Sequence, residues 1–262
     1  MEMTLSRAAR RLWLGLLPFA ALSLGVAESP PERKADAPLV RRLVKSFEDR
    51  YRSARTLEAT FLERYTENGQ TVRSEAGTAY FQRPGKMRWD YDAPEKDLFL
   101  VDGKDAWFYV PSDHTVTRVP AKQSADWRTP LALLAGEMKV SRVCKSVELA
   151  AGEKAENEAN VVLRCHVRGA EGRGDSALQD HYDSEVPDSP RGEKGVVFFE
   201  IVPETGELAR LLVRQSAGVE VKFRFQNWRM NPPVPDSLFR FDVPVGVAIV
   251  NGELPGSDAA VK

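Results

Sequence analysis

The sequence predicts an α+β fold that is mainly antiparallel β, in which a meander of short strands curls into a barrel-like sheet. Two observations support this prediction. Apolar residues alternate with polar ones from Leu57 onward, and turn sequences rich in Gly, Pro, Asn and Asp interrupt the alternation at short intervals. Only a segment before the strands and a short one among them have helical patterns. Many short strands with tight turns are typical of a curled antiparallel sheet.

Residues 1–27 have the build of a secretory signal peptide. Arg7, Arg10 and Arg11 give a basic start, and the apolar run 12–27 ends in small residues. A membrane anchor is the alternative, but the run includes Pro18 and is shorter than the roughly 20 residues of a spanning helix. The paired arginines also fit a twin-arginine export signal, although a general secretory signal fits better.

The remaining composition is that of an ordinary globular protein. The formal net charge of −1 provides no basic face for nucleic acid and no polybasic patch for a membrane surface. No cysteine follows the apolar run directly, so there is no place to attach a lipid. We therefore expect an exported, soluble protein without a nucleic-acid partner.

A flexible leader at 28–37, rich in Pro and charge, precedes a single predicted domain at 38–250. The domain begins with an amphipathic helix, because apolar residues recur there at spacings of three and four: Leu39, Val40, Leu43, Val44, Phe47 and Tyr51. The strand that starts at Leu57 ends at an Asn-Gly hairpin turn in 67–70. Further strands are predicted at 71–82, 86–92, 97–101, 105–110 and 114–119.

A short apolar helix then interrupts the meander. Thr129 is its expected N-cap, Pro130 its first residue and Gly136 its stop, with Leu131 and Leu134 inside. This helix could plug one end of a barrel or serve as a movable lid, and its sequence fits both.

The second half returns to strands, at 138–149 and 160–168. A long exposed loop is predicted at 169–194, because that stretch is rich in Gly, Asp, Ser and Pro. It precedes a hairpin around 204–206, a strand at 219–230, an edge strand at 239–250 and a disordered tail at 251–262.

Cys144 and Cys165 are the two cysteines of the chain, and disulfides persist in exported proteins. A hairpin turning near residues 154 and 155 would place them opposite each other and close a loop whose disulfide stabilises by roughly 3 kcal/mol. The same register places Lys145 opposite Arg164, which is unfavourable. Two buried free thiols are the alternative.

No motif for catalysis or metal binding is present. His114, His166 and His181 lack the spacing of metal ligands, and the acidic-histidine cluster at 180–183 is more typical of a solvated loop. We expect neither an enzyme nor a cofactor.

Large aromatic side chains are concentrated in residues 61–109. In a closed small barrel they would form the core, and composition alone favours this reading. In an unclosed sheet capped by two apolar helices they would line a cavity.

The stretch 81–120 resembles the signature of the outer-membrane lipoprotein carrier family. The resemblance rests on Arg83-Pro84, Trp89-Asp90-Tyr91 with Pro94, the apolar run 98–101, Asp102-Gly103-Lys104, the Trp107–Pro111 segment and the terminal Phe239–Val247 segment. It implies an incomplete, unclosed β-barrel with a helical lid over a hydrophobic cavity. It also implies a soluble, monomeric periplasmic carrier that shields lipoprotein acyl chains. Its donor would be an inner-membrane lipoprotein-releasing ABC transporter, and its acceptor an outer-membrane receptor lipoprotein.

The resemblance also suggests roles for individual residues. Arg83 matches the family arginine that reaches the carbonyls of the lid helices. The alternative is that Arg83 lies in a turn and is simply solvated. We predict that Phe61, Trp89 and Tyr91 face the cavity, with Leu131 and Leu134 on the lid; a one-residue error in register would invert the face.

Two features depart from the family pattern, namely the long loop at 169–194 and the cysteine pair. They leave open a carrier of free lipid or glycolipid, or a lipid-sensing regulatory domain, on the same scaffold.

Overall fold

The computed structural model describes residues 36–121, 131–136, 138–168, 196–215 and 218–251. The predicted signal peptide, nearly all of the leader, the 169–194 loop, the tail after 251, Thr129 and Pro130 lie outside these ranges. No helix within them is both long enough and apolar enough to cross a membrane.

Three α-helices lie in the described ranges: α1 (Ala37–Arg52), α2 (Ala132–Ala135) and α3 (Val140–Val143). The apolar stripe of α1 is buried as its spacing predicts, through Val40, Leu43, Phe47 and Tyr51. Two 3₁₀ turns, Pro111–Asp113 and Asp236–Phe239, complete the helical elements described.

Twelve strands of the described residues form one sheet. They are β1 (Thr56–Glu67), β2 (Gln70–Gln82), β3 (Lys86–Ala93), β4 (Leu98–Val101), β5 (Asp105–Val110), β6 (Thr115–Pro120), β7 (Cys144–Leu149), β8 (Val161–Val167), β9 (Val196–Val202), β10 (Glu207–Arg214), β11 (Val219–Met230) and β12 (Ala248–Asn251). Their order across the sheet is β12-β6-β5-β4-β3-β2-β1-β11-β10-β9-β8-β7. The sheet is not closed, because β12 and β7 are its two edges. The mainly antiparallel, unclosed fold class is therefore confirmed.

The first hairpin shows why the sequence gives this sheet. Asn68 and Gly69 form a two-residue turn with φ of 48° and 80°, the left-handed geometry that such turns need. The β1–β2 pairing begins at this turn, and an irregularity between Tyr65 and Thr66 shifts it by one residue, so that Phe61 is opposite Gly77 and Ala59 is opposite Ala79. One face of the sheet, hereafter the inner face, carries the main apolar core, and α1 packs against it.

Two predicted strands need correction. Residues 140–143 form α3 instead of the start of a strand, because the Val140 amide donates to Glu48 Oε1 on α1 (2.8 Å) and holds a helical turn there. In the predicted strand 239–250, only residues from Ala248 onward pair with the sheet, in parallel with β6. Upstream of them, Phe241 packs on Trp107 of β5, with ring centroids 5.5 Å apart.

The predicted cysteine register was also wrong, although the two cysteines are joined. The disulfide between Cys144 and Cys165 has a Cα–Cα distance of 5.4 Å. An irregularity after Cys144 shifts the β7–β8 pairing, so that Val147 is opposite Cys165. Glu148 therefore lies opposite Arg164, and the like-charge pair of the predicted register does not form.

Candidate functional site

Three of the predicted site residues meet on the inner face. Phe61 on β1 and Trp89 and Tyr91 on β3 are 4%, 0% and 3% exposed. The Phe61 ring lies edge-on to both, with centroids 4.7 Å from Trp89 and 5.2 Å from Tyr91. They can meet across the intervening strand β2 because Gly77, which has no side chain, lies between Phe61 and Tyr91 in the register.

The sheet curls strongly around this cluster. Trp89 is on β3 and Phe223 is on β11, three strands away, which is roughly 14 Å in a flat sheet. Their ring centroids are nevertheless 5.2 Å apart. Ala79, opposite Trp89 on β2, and Ala59, opposite Ala79 on β1, are fully buried, and their small side chains leave room for the Trp89 ring. The inner face is thus a concave surface lined with aromatic rings.

The short helix α2 covers one end of this surface. It packs against β2 and β3. Leu131, which precedes it, and Leu134 within it are both buried in the same core as the three aromatic side chains. The structure therefore brings all five predicted lipid-contacting residues into one cluster; their role in lipid binding stays a prediction.

Arg83 connects the sheet to both covering helices. Its Nε donates to the Leu134 carbonyl in α2 (3.3 Å), and its Nη1 donates to the carbonyl of Arg52, the last residue of α1. Carbonyls in the last turn of a helix lack intrahelical partners and carry partial negative charge, so a cation suits them. Burial lowers the pKa of the Arg83 guanidinium. Two residues on, the Gly85 amide donates to the Ala135 carbonyl (2.8 Å).

The two helices are anchored to different extents. α1 is sixteen residues long and buries Tyr51, whose hydroxyl accepts a hydrogen bond from the Leu208 amide (3.0 Å). Burial is the main cause that raises the pKa of Tyr51. Arg50 of α1 also pairs with Glu207 of β10 (2.5 Å). The four-residue α2 is shorter and is held by the hydrogen bonds from Arg83 and Gly85 and by the burial of Leu133 and Leu134.

Sequence reasoning missed a buried polar group at the other end of the inner face. The Glu63 side chain is 1% exposed, and the Tyr91 hydroxyl donates to its Oε2 (2.8 Å). Glu75, opposite Glu63 on β2, is buried as well and pairs with Arg73 (2.9 Å). The sequence did indicate that Glu63 faces inward, because it lies two residues after Phe61 on β1 and alternate residues of a strand share a face.

A cleft of about 760 Å³ opens between the first turn of α1 and the β7–β8 hairpin. Its apolar lining includes Val40, Val147 and Leu149, which also pack against the core beneath the sheet. Its charged lining includes Arg41 and Arg164. None of the predicted site residues lines this cleft.

Within the described ranges, no three His, Cys, Asp or Glu side chains are grouped so that they could hold a metal ion. His166 lies 3.2 Å from Glu148 across the β7–β8 pair. His181, with its acidic neighbours, lies outside the described residues.

Comparison with known proteins agrees with this architecture. Residues 52–163 match the family model described as outer membrane lipoprotein carrier protein LolA. An outer-membrane lipoprotein carrier protein of Methylococcus capsulatus is 31% identical over 79% of this chain and 85% of its own length. The protein of the same name from Chromobacterium violaceum is 30% identical over 91% of this chain and 97% of its own length.

Another such protein, from Nitrosomonas europaea, is 29% identical over 87% of this chain and 96% of its own length. Among solved structures, a LolA superfamily protein from Nitrosomonas europaea aligns with a TM-score of 0.42 at 9% identity, covering 77% of this chain and 97% of that one. The identities to the carrier proteins, which extend over nearly their whole length, establish that this chain belongs to the outer-membrane lipoprotein carrier protein family.

Proposed function

We propose that this protein is a soluble periplasmic carrier that binds the acyl chains of lipoproteins and ferries them from the inner to the outer membrane. The observation that carries the proposal is the aromatic inner face, covered at one end by a four-residue helix that hydrogen bonds from Arg83 and Gly85 hold in place. The names of the relatives describe carriers of lipoproteins. In this proposal the chain acts by binding and release, without catalysis.

The free energies favour an exchange of the lid for an acyl chain. Burying a methylene stabilises by about 0.8 kcal/mol, so a chain of some sixteen carbons gains roughly 12 kcal/mol. Displacing α2 loses two hydrogen bonds, worth about 1 kcal/mol each. It also exposes Leu131, Leu133 and Leu134, at about 1.5–3 kcal/mol each. The gain exceeds the loss, yet the difference is small enough for the cargo to leave again.

The cleft beside α1 offers a way in for the acyl chains. Its apolar lining continues into the core through Val40, which belongs to both. Its charged residues can stay in water while an apolar chain passes between them. In this proposal α1 remains anchored, and α2 moves to make room on the inner face.

The proposed partners follow from the transfer route. An inner-membrane lipoprotein-releasing ABC transporter loads the carrier, and an outer-membrane receptor lipoprotein, where present, accepts the cargo. The signal peptide at 1–27 directs export, and we propose that the mature protein works as a monomer.

Native mass spectrometry tests the proposed cargo. The chain without residues 1–27 is purified gently and mixed with a triacylated lipopeptide, and a one-to-one complex is expected. Leu134→Asp, which places a charge on the inner side of the lid, should alter the amount of complex. Val245→Asp, at a fully exposed apolar position, is the matched control and should not. Bound phospholipid or glycolipid with no lipopeptide binding would instead favour a carrier of free lipid.

A further inference from the structure

Trp89 carries a buried hydrogen-bond donor without an acceptor. Its side chain is 0% exposed, and among the described residues no atom accepts a hydrogen bond from its Nε1. The other two tryptophans that the structure describes are paired: Trp107 Nε1 donates to Asp102 Oδ2 (3.1 Å) and Trp228 Nε1 donates to the Leu208 carbonyl (2.9 Å). Buried polar groups in proteins are nearly always satisfied, so the unpaired Trp89 Nε1 requires an explanation.

The Trp89 ring is surrounded by other aromatic rings. Its neighbours are four phenylalanines, with ring centroids 4.7–6.1 Å away: Phe61, Phe81, Phe223 and Phe225. A buried N–H without an acceptor costs free energy in the folded protein. A ligand that supplies an acceptor atom would remove this cost. The indole N–H can donate but cannot accept, so the ligand atom must be an acceptor.

The inner face is graded in polarity along β3. Towards the β2–β3 turn lies Met87, and the Gly85 amide beyond it bonds to α2, so this end is apolar and covered by the lid. In the other direction, two residues along, Tyr91 bonds to the buried carboxyl group of Glu63. Trp89 therefore lies at the boundary between an apolar end and a polar end.

We propose that Trp89 Nε1 donates a hydrogen bond to an ester or amide carbonyl at the base of the acyl chains of the bound lipid. The acyl chains then extend towards α2, and the polar head of the anchor lies towards Tyr91 and Glu63. This inference rests on the proposed carrier function and deepens it, because it orients the cargo and names the chemical group that is recognised.

A neutral carbonyl fits this position better than a carboxylate. Acylated glycerol and acylated amines carry a carbonyl directly where hydrocarbon ends, which matches a single donor at the boundary of an apolar surface. A free fatty acid would instead bring a carboxylate to the side of the site where Glu63 already supplies a carboxyl group. The site therefore selects esters and amides over free fatty acids.

The test replaces one atom of the indole. Trp89→benzothienylalanine puts sulfur in place of the N–H and keeps the shape of the ring. The binding of a dye-labelled diacylglyceryl lipopeptide is measured by fluorescence polarisation, together with its dialkyl-ether analogue, which lacks both ester carbonyls. The wild-type protein should bind the ester form about 5- to 10-fold more tightly than the ether form. The variant should lose this preference while its affinity for the ether form stays the same.

Trp107→benzothienylalanine is the matched control, because Trp107 already donates to Asp102, and it should keep the ester preference. A second measurement uses only the wild-type protein and so does not depend on the folding of a variant. The infrared band of a ¹³C-labelled ester carbonyl should move to lower frequency when the lipopeptide binds. If the Trp89 variant keeps the ester preference, or the carbonyl band does not move, the inference is wrong while the carrier function stands. If the wild-type protein binds neither lipopeptide, the carrier proposal itself fails, and the inference with it.

Discussion

Replacing Arg83 by leucine should make the carrier hold its cargo more tightly and release it more slowly. The side chain donates one hydrogen bond to α2 and one to the end of α1 in the covered state. Because α1 stays anchored when α2 is displaced, only the bond to α2 is lost, and since Arg83 is partly exposed we assign about 1 kcal/mol to it. If cargo binds only when α2 is displaced, the apparent dissociation constant varies inversely with the displaced fraction. A loss of about 1 kcal/mol raises that fraction about 5-fold, with a corresponding gain in affinity.

The assay is the transfer of a labelled lipopeptide from loaded carrier to acceptor liposomes, followed in time. Arg83→Leu should slow the transfer by about 5-fold, and amide exchange of Gly85, whose N–H bonds to α2, should become faster. Arg42→Leu, on the exposed side of α1, is the matched control and should change neither quantity. Equal transfer rates in a well-folded Arg83→Leu protein would refute the latch role.

Three further predictions concern stability. Gly77→Ala should destabilise the protein by about 2–4 kcal/mol in urea unfolding, because a Cβ there would lie 1.9 Å from a backbone carbonyl oxygen of β3. Burial raises the pKa of Glu156, but the hydrogen bonds from Arg224 and Lys222 outweigh this effect and bring the pKa down to about 2. The resulting stability is present above the unfolded pKa near 4.5 and should be lost as the pH falls towards 2, which acid titration of the unfolding midpoint measures. Replacing both cysteines by alanine should lower stability by roughly 3 kcal/mol, measured by the same urea unfolding against the oxidised wild type.

Each of these has its own control. Thr78→Ala, next to Gly77 but not part of the buried core, should cost much less than Gly77→Ala, and equal losses would contradict the close-contact argument. Glu156→Gln should flatten the acid dependence, whereas the exposed Glu158→Gln should leave it unchanged. For the disulfide, reduction of the wild type should reproduce the loss seen in the double replacement; if it does not, the effect comes from packing of the sulfur atoms.

Local patterns in the sequence predicted most of the sheet and the side of it that is buried. Alternation set the parity of Trp89 and Tyr91, and the Asn68–Gly69 turn placed the first hairpin, although irregularities beside Thr66 and Gly77 complete the register that brings Phe61 to them. These signals lie within a few residues of the features that they determine. The same pattern could not show that the rings of Trp89 and Phe223 meet, because that contact depends on how far the sheet curls.

The wrong cysteine register comes from a local irregularity after Cys144, whereas the other misses depend on contacts between distant parts of the chain. The helical turn at Val140 is held by Glu48, which is 92 residues earlier. Phe241 covers Trp107 instead of continuing an edge strand. Glu63 is buried because Tyr91 on another strand supplies a donor for its carboxyl group. A local sequence pattern shows which side chain will be buried, but it does not show which distant residue will contact it.

The two faces of the sheet meet opposite requirements of a carrier. In the proposed function the inner face opens, its covering helix is short, and the stability lost on opening has to be supplied elsewhere. The outer face supplies it through Arg210, which is 3% exposed and bonds to Glu200 (2.6 Å), Glu153 (3.0 Å) and the Lys154 carbonyl (2.8 Å). This network ties the β7–β8 connection across β9 and β10 on the outer face. Among the described residues its hydrogen bonds involve neither α2 nor Arg83, so in the proposed function α2 moves without loosening the strands that hold the aromatic surface in shape.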